Sequence, residues 1–595
     1  MSRVRPRDER SNRLGGPRVQ AVAAALGFVA LSLILVPWSP LSASLLPNGP
    51  GVAGTSDASL SVWLLAWLPF AMWHGINPLF SHLMLGPATV PVAHMNTIFA
   101  LSGLGTPATL LWGPVATYNV LLRLAFATSA FSLFLVMRRK VRFVYALGAG
   151  LLFGFGPFEV AQGATHLDVA FTAMLPLIVW LTYELVIIRR RNALRLGCAL
   201  GVACAVQYFV MSELLFSIIL VMAIAVVVPA FRVRLETSAW RYLGRGVFAA
   251  AGAFVVLCGY PVYELLFTGP HGPVHPAAVL EVYRNDLFSS FLPTTYQLIH
   301  PGQLSAHANS FVAGNLTENG GYLGLPLIAT SLWFGYRFRR DRFVVWPLVM
   351  ALIAFVLSLG PRLTVDGHDL PILLPEAALA HLPLLNNVVS ARFAVVVALF
   401  VAMAVAIGAQ ALIENSRFAP LPRRRMVKTG TWVVALLVTL TLLPSRYSPT
   451  SVAPSASVHR ALSLVPDGAV VLTYPYAAPP FVEPMIWDAS ERLRFTLVGG
   501  YDGVGVQRIP NEPVPVFFGE AQYFKLRPIT ASLLGEKEIS SSRQYLADHH
   551  VGVIIVQDTG ADAGAVVKFL DIVTGPATYR FPGVTVWLRK QPGSG

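Results

Sequence analysis

The chain has 595 residues, of which 55% are hydrophobic and 12% are charged, about half the charged fraction of an ordinary soluble domain. This composition predicts a polytopic membrane protein. The net charge of +14 could indicate nucleic-acid binding, but the Lys and Arg residues fall in small clusters between apolar runs. The positive-inside rule accounts for that spacing, so no nucleic-acid partner is predicted.

The apolar runs are long enough to predict about eleven transmembrane helices. A basic tail at residues 1–20 precedes the first run, which would keep the N-terminus in the cytoplasm, and a signal peptide is the alternative for that run. The predicted spans are Ala21–Pro37, Val115–Met137, Phe143–Phe158, Val169–Ile188, Ala193–Met211, Leu214–Ala230, Gly246–Phe267, Gly321–Gly335, Phe343–Leu359, Phe393–Ile413 and Thr431–Leu443. An odd number of spans places the C-terminus outside the cell.

Basic clusters such as "RRKVR" at residue 138 and "RFRRDR" at residue 337 occupy alternate loops, which would be cytoplasmic. The first outer loop, residues 42–114, contains no Lys or Arg. Its apolar run Leu60–Trp73 is therefore predicted to be a helix in the outer membrane interface, with Trp63, Trp67 and Trp73 at headgroup level.

The composition of the sequence changes after the last predicted span. A Pro/Ser linker, "PSRYSPTSVAPSAS", follows the predicted transmembrane region of residues 21–444. Beyond it, β-like runs such as "VGVIIV" alternate with helix-like runs such as "SSRQYLADHH". Residues 445–595 are predicted to form an extracytoplasmic α/β domain.

The stretch "GTSDASLSVWLLAW" places one carboxylate, Asp57, on the first outer loop just before an aromatic run. An acidic residue there, followed by many spans and an outer C-terminal domain, resembles the GT-C superfamily of integral membrane glycosyltransferases, here of a bacterial kind. The resemblance implies a plasma-membrane enzyme that moves a sugar from a polyprenyl-phosphate donor to a glycan, lipid or protein acceptor, with inversion. The loop lacks the Asp-x-Asp or Asp-Glu pair common in that superfamily, so a divalent cation is not indicated and no cofactor is predicted.

Asp57 has two possible roles. A carboxylate at the edge of a low-dielectric cavity can act as the base that takes the acceptor's proton. It can also be the N-cap of a helix that starts at Ala58, because Asp is favoured at that position. Residue chemistry alone favours the cap, and the topology favours catalysis.

Seven outward residues complete the predicted site. Cationic groups that could hold the departing phosphate are His166, Arg284 and Arg392, although Arg392 could simply snorkel to the interface. Glu159, Asp168 and Glu318 could bind sugar hydroxyls, but Asp168 could be a helix N-cap and Glu318 part of a turn. Trp63 is the candidate aromatic residue for substrate binding.

Arg123, Glu213 and Glu264 lie within or at the ends of apolar runs, where an unpaired charge is costly. Buried ion pairs are the simplest expectation for them. A transporter or flippase would place such groups along its pathway, and this is the main alternative function. A non-catalytic scaffold for envelope assembly is a third.

Overall fold

The structure is a computed structural model. It describes residues 16–48, 56–86, 89–95, 98–230, 236–267, 282–312, 315–379, 388–479, 481–501, 535–559 and 563–589.

Helices dominate the chain up to residue 442. Within the described residues, seven helical stretches are long and apolar enough to cross a membrane. Each predicted span overlaps a helix, and two of them fall on the single helix Ala193–Ala230. The expected multi-pass helical architecture is therefore confirmed, while the number eleven stays a prediction. The helices in this part are Pro17–Leu35, Ser56–Trp73, Phe99–Trp112, Pro114–Met137, Phe143–Gly154, Pro157–Gln162, Met174–Tyr183, Ala193–Ala230, Thr237–Phe267, Gly302–Asn309, Leu325–Arg337, Arg342–Ser358, Glu376–Leu379, Ala394–Asn415 and Leu421–Leu442.

The long helix Ala193–Ala230 is broken at Met211, whose backbone is extended with φ −161° and ψ 104°. The hydroxyl of Tyr242, in the first turns of helix Thr237–Phe267, donates to the carbonyl of Arg191 over 2.8 Å. A straight helix of this length would end ~57 Å from its start, too far for the short connection to bridge. The two halves must therefore fold back on each other, as two spans of opposite direction do.

The first outer loop holds the helices Ser56–Trp73 and Phe99–Trp112, which pack together. The hydroxyl of Ser102 donates to the carbonyl of Leu64 over 3.1 Å. Trp63 and Trp67 are fully buried in protein, whereas Trp73 is 88% exposed. Trp63 and Trp67 therefore pack inside the protein and not against lipid: Trp63 contacts Asp488 of the C-terminal region, and Trp67 donates to the carbonyl of Pro78. The position of this helix at headgroup level stays a prediction.

The C-terminal region is an α/β structure, as predicted. Its five-stranded sheet has the order β10-β11-β9-β7-β8, in which β7 runs parallel to β8 and β9, and β11 runs antiparallel to β9 and β10. The strands of the described chain are β1 Leu45–Asn48, β2 Phe80–Ser81, β3 Val90–Pro91, β4 Arg362–Val365, β5 His368–Leu373, β6 Ser448–Ser451, β7 Val470–Tyr474, β8 Thr496–Leu497, β9 Val551–Gln557, β10 Tyr579–Phe581 and β11 Val584–Leu588. The helices here are Ala456–Ser463, Glu483–Ser490, Glu536–Asp548 and Ala563–Thr574.

Backbone hydrogen bonds attach this region to the first outer loop. Strand β1 pairs antiparallel with β6. Leu497 donates its N–H to the carbonyl of Leu83 over 2.9 Å, and Gly86 donates to the carbonyl of Leu497 over 2.9 Å. Because Tyr501 follows this pairing by only a few residues, the pairing determines where its side chain lies.

One expected ion pair is absent from the described structure. The guanidinium of Arg123 donates to the carbonyls of Asn119, Val36 and Trp38. The prediction of a carboxylate partner for Arg123 is therefore wrong, because three backbone carbonyls accept from its guanidinium, two of them just past the end of helix Pro17–Leu35. Glu264 is buried.

Candidate active site

Asp57 lies in the first turn of helix Ser56–Trp73, beneath the C-terminal region. Ser56, the residue before Asp57, is already helical, so Asp57 lies inside the helix and is not its N-cap. One carboxylate oxygen, Oδ1, accepts a hydrogen bond from the Tyr501 hydroxyl over 2.9 Å. The other, Oδ2, lies 3.2 Å from Nε2 of His166.

His166 connects Asp57 to a second set of polar groups. Its Nδ1 lies 2.7 Å from Oε1 of Gln162 and 4.0 Å from Oε1 of Glu318. The amide nitrogen of Gln162 donates to Oε2 of Glu318 over 3.1 Å. Asp57 and Glu318 are thereby joined through one imidazole ring and one amide.

Arg392 continues the network toward the membrane helices. Its Nη2 donates to Oε1 of Glu318 over 2.6 Å, and its Nε lies 3.2 Å from the same oxygen. Its Nη1 donates to Glu213, which also accepts the backbone N–H of Val389. All three guanidinium nitrogens thus donate to carboxylates, and the buried ion pair expected for Glu213 is present.

The five groups Asp57, His166, Glu318, Arg392 and Glu213 alternate in sign along the network, which we call the charge ladder. Alternation lets each buried charge contact an opposite one, which offsets part of its desolvation cost. Side-chain exposure is 23% for Asp57 but only 4% for His166, 2% for Glu318 and 10% for Arg392. Asp57 is therefore the member of the ladder best able to touch a substrate.

The ladder also shifts the acidity of its outer members. Burial alone would raise the pKa of Asp57, but the charge and hydrogen bond of His166 and the bond from Tyr501 outweigh it, so the pKa is lowered. Burial would lower the pKa of His166, but Asp57 and Glu318 raise it overall. At Glu318, burial alone would raise the pKa, but the charges of Arg392 and His166 outweigh it, so the pKa is lowered. The favoured state is an ionised Asp57 beside a protonated His166.

Two further predicted acids lie behind this contact. Asp168 is 3% exposed, and its Oδ2 has no hydrogen-bond partner among the described residues. Burial raises the pKa of Asp168, against the opposing effect of His166. Glu159 is 1% exposed and accepts a hydrogen bond from the Thr172 hydroxyl.

Arg284 and Trp63 have other contacts. Arg284 holds the hairpin β4–β5, since its Nε donates to the Thr364 hydroxyl over 2.8 Å and its Nη2 pairs with Asp369. Trp63 stacks on Trp67 and donates its indole N–H to Asp488 over 3.2 Å. With no exposed surface, Trp63 cannot contact a ligand in this conformation.

Sequence reasoning missed Gln162 and Tyr501. Gln162 carries no charge, so nothing in a hydrophobic helix end distinguishes it. Tyr501 ends "LVGGY", where the two glycines permit close approach. A Cβ on Gly500 would lie 2.3 Å from Cγ of Met84, and one on Gly499 would lie 2.6 Å from the Ala477 carbonyl. A glycine pair in a strand-like run was the available signal.

The described residues contain no cluster of three or more His, Cys, Asp or Glu side chains arranged to hold a metal ion. Asp57 and Glu318 lie against opposite nitrogens of the His166 ring.

An apolar cleft adjoins the ladder. It reaches Gly320 and Gly321, just after Glu318, and Ala394, just after Arg392. At its polar end, Oδ1 of Asn285 is buried and has no hydrogen-bond partner among the described residues. The remaining walls include Leu152, Phe158, Leu323, Leu327, Phe355, Val397, Val401 and Leu442.

Solved structures share this architecture. Two structures of the arabinofuranosyltransferase AftD from Mycobacteria, one of them a mutant, superpose with TM-scores of 0.51 and 0.54 at 13% sequence identity. The chain has the GT-C fold. The alignment covers 96% of this chain but only 40% and 42% of the AftD chains, so it spans about two fifths of their length.

ArnT from Cupriavidus metallidurans, in the apo state, aligns over 96% of this chain and 97% of its own, at 13% identity and a TM-score of 0.43. No family model and no curated protein matches the sequence.

Proposed function

We propose that the protein is a membrane glycosyltransferase that moves one sugar from a polyprenyl-phosphate donor to an envelope glycan, lipid or protein at the outer face. The observation that carries the proposal is the setting of Asp57. It is a partly exposed carboxylate, kept ionised by His166 and oriented by Tyr501, at the outer end of a buried charge ladder.

Asp57 supplies the base. As the acceptor oxygen attacks the anomeric carbon, its O–H bond breaks and the proton moves to Asp57. The bond from the anomeric carbon to the phosphate oxygen breaks at the same time, and the lipid phosphate leaves with the electron pair. Attack opposite to the leaving group inverts the anomeric centre. General base catalysis of this kind contributes ~10²-fold to 10⁴-fold to the rate.

The apolar cleft encloses only about 20 Å³ of water-accessible space, room for about one water molecule. An isoprenoid chain could enter it only if the lining residues moved apart, so the lipid-linked donor is proposed from the fold and from the setting of Asp57, not from the cleft. Arg392 is a poorer phosphate ligand than its type suggests, because both of its carboxylate partners would compete with the phosphate. Its first role is to hold Glu318 and Glu213.

The C-terminal region supports acceptor positioning. It approaches the base closely enough for Tyr501 to contact Asp57, so an acceptor bound on its surface would meet the reactive centre.

The proposal is tested by the release of free lipid phosphate, a readout that does not depend on the acceptor's identity. The purified protein in lipid nanodiscs is mixed with polyprenyl-phosphate pentoses and hexoses and with a cell-envelope extract as acceptor. Wild-type protein should release lipid phosphate from at least one donor. Asp57→Asn should reduce that release by ~10²-fold or more. Equal release by both proteins, per folded molecule, would refute the proposed chemistry.

Transport of an intact lipid-linked sugar is the competing function. Proteoliposomes loaded with the same donors would show its movement across the bilayer without lipid-phosphate release. Arg392 pairs with both Glu213 and Glu318, and ion pairs of this kind occur in transporters as well as in enzymes. The two release and transport assays therefore decide between the functions.

A further inference from the structure

His166 was expected from the sequence to bind the donor phosphate, but both of its ring nitrogens already face protein atoms. Nε2 lies 3.2 Å from Oδ2 of Asp57. Nδ1 lies 2.7 Å from Oε1 of Gln162 and 3.2 Å from Oγ1 of Thr317. With 4% of its side chain exposed, the ring has no free edge for a phosphate.

The neighbours of Nδ1 determine its protonation. The amide nitrogen of Gln162 donates to Glu318, so the Gln162 oxygen faces the ring as an acceptor. The Thr317 hydroxyl donates to Oδ1 of Asn315 over 2.5 Å, so its oxygen can only accept from the ring. Both contacts therefore require a hydrogen on Nδ1.

The contact at Nε2 adds a second hydrogen. An ionised Asp57 has only acceptor atoms, and a bare Nε2 lone pair would repel it. Asp57 and His166 thus share one proton, and the ionic form places it on the ring. Five charged or titratable groups surround this pair on the described elements packed against it: Glu318, Arg392, Asp168, Tyr118 and Tyr501.

We propose that His166 is a positioning residue that stays a doubly protonated imidazolium through the reaction and holds Asp57 ionised and correctly turned toward the acceptor. Gln162 and Thr317 fix the ring by accepting from Nδ1, and Glu318 fixes Gln162. His166 transfers no proton and binds no phosphate. This inference rests on the proposed function only for its catalytic consequence, since the ion pair exists without substrate.

The state of Asp57 can be measured without a substrate. A water-soluble carbodiimide with glycine ethyl ester couples to protonated carboxyl groups, and mass spectrometry reports the labelled fraction of Asp57 as a function of pH. Removing the imidazolium removes the cation that lowers the pKa of Asp57. His166→Gln should therefore increase Asp57 labelling at pH 5 severalfold, because a larger fraction of the Asp57 carboxyl groups is then protonated.

His459→Gln, at an exposed surface histidine, is the matched control and should label like wild type. His166→Asn provides a second variant, and thermal unfolding verifies that each protein is folded. A labelling curve for both His166 variants that superimposes on wild type would overturn the inference.

The catalytic consequence separates this role from phosphate binding. A positioning role predicts that His166→Gln lowers kcat and moves the acidic limb of the rate profile to higher pH. A phosphate ligand would instead raise KM for the lipid donor and leave that limb in place. Unchanged activity of Asp57→Asn would refute the proposed function and leave the labelling result standing, so the two failures are distinguishable.

Discussion

The two oxygens of Asp57 have different partners, and two substitutions at this one position distinguish a catalytic role from a structural role. Asn keeps the shape and can accept the Tyr501 bond through its carbonyl oxygen, but it cannot take a proton. Ala removes both contacts, the hydrogen bond from Tyr501 and the ion pair with His166. If Asp57 were only structural, Asn would be the milder change. Activity per folded molecule should instead fall as far with Asn as with Ala.

Tyr501 gives a second prediction at the scale of one residue. Tyr501→Phe deletes the hydroxyl that donates to Asp57 and leaves the ring in place. Hydrogen bonds to charged groups contribute about 1.5–3 kcal/mol, so transfer should fall by roughly tenfold to a hundredfold. The acidic limb of the rate profile should also move upward, because this bond helps to lower the pKa of Asp57. Steady-state rates measured between pH 4 and 8 report both effects.

The half-exposed Tyr579 supplies the control for Tyr501, since Tyr579→Phe removes a hydroxyl on strand β10 and should leave the rate unchanged. Wild-type activity in Tyr501→Phe would show that the C-terminal region contributes no polar contact to the reaction.

At the scale of elements, the helix Ser56–Trp73 is held by the helix Glu483–Ser490 through Trp63 and Asp488. Asp488 is fully buried, with one oxygen accepting from Trp63 and the other unpartnered among the described residues. Burial raises its pKa well above the usual value, despite the Trp63 bond. A raised carboxyl pKa gives stability that is fully present below the unfolded pKa and is lost as pH rises.

Asp488→Asn should therefore stabilise the protein at neutral pH, because its amide never ionises and its oxygen still accepts from Trp63. The melting temperature of the Asp488→Asn protein should match that of wild type near pH 4, where an ordinary Asp carboxyl titrates. It should exceed the wild-type melting temperature increasingly as pH rises. Asp488→Ala, which loses the acceptor, should melt lower than Asp488→Asn at every pH. A gap between Asn and wild type that stays constant with pH would contradict the assignment of a raised pKa.

The contact between Trp63 and Asp488 could not be predicted from the sequence. Trp is suited both to the membrane interface and to a buried contact with one polar partner, so its position in a helix does not distinguish them. Trp63 meets Asp488 across 425 residues of chain. No local pattern encodes a contact at that separation, whereas the helices themselves follow from local apolar runs.

For the whole molecule, the sequence indicated Asp57, His166, Glu318 and Arg392 because each is a charge outside or at the end of an apolar run. That they form one ladder depends on the packing of distant helices, which charge spacing does not reveal. Arg284 has the same sequence character and lies instead at the hairpin β4–β5. Residue type and topology thus select candidates, and only the fold separates them.

Orientation is the prediction that belongs to the whole chain. The ladder can meet an outer-face substrate only if the first outer loop and the C-terminal region lie outside, as the Arg clusters in alternate loops indicate. The fold-back of helix Ala193–Ala230 at Met211 keeps that alternation intact, because the basic loops on either side of it then lie on one face.

In a background lacking Cys198, Cys204 and Cys258, single cysteines at His74 and Ser455 should react with an impermeant thiol reagent added to intact cells. A cysteine at Ala419 should react only after the cells are permeabilised. Protection of the His74 site with labelling at Ala419 would place Asp57 in the cytoplasm, and the outer-face reaction would then be untenable.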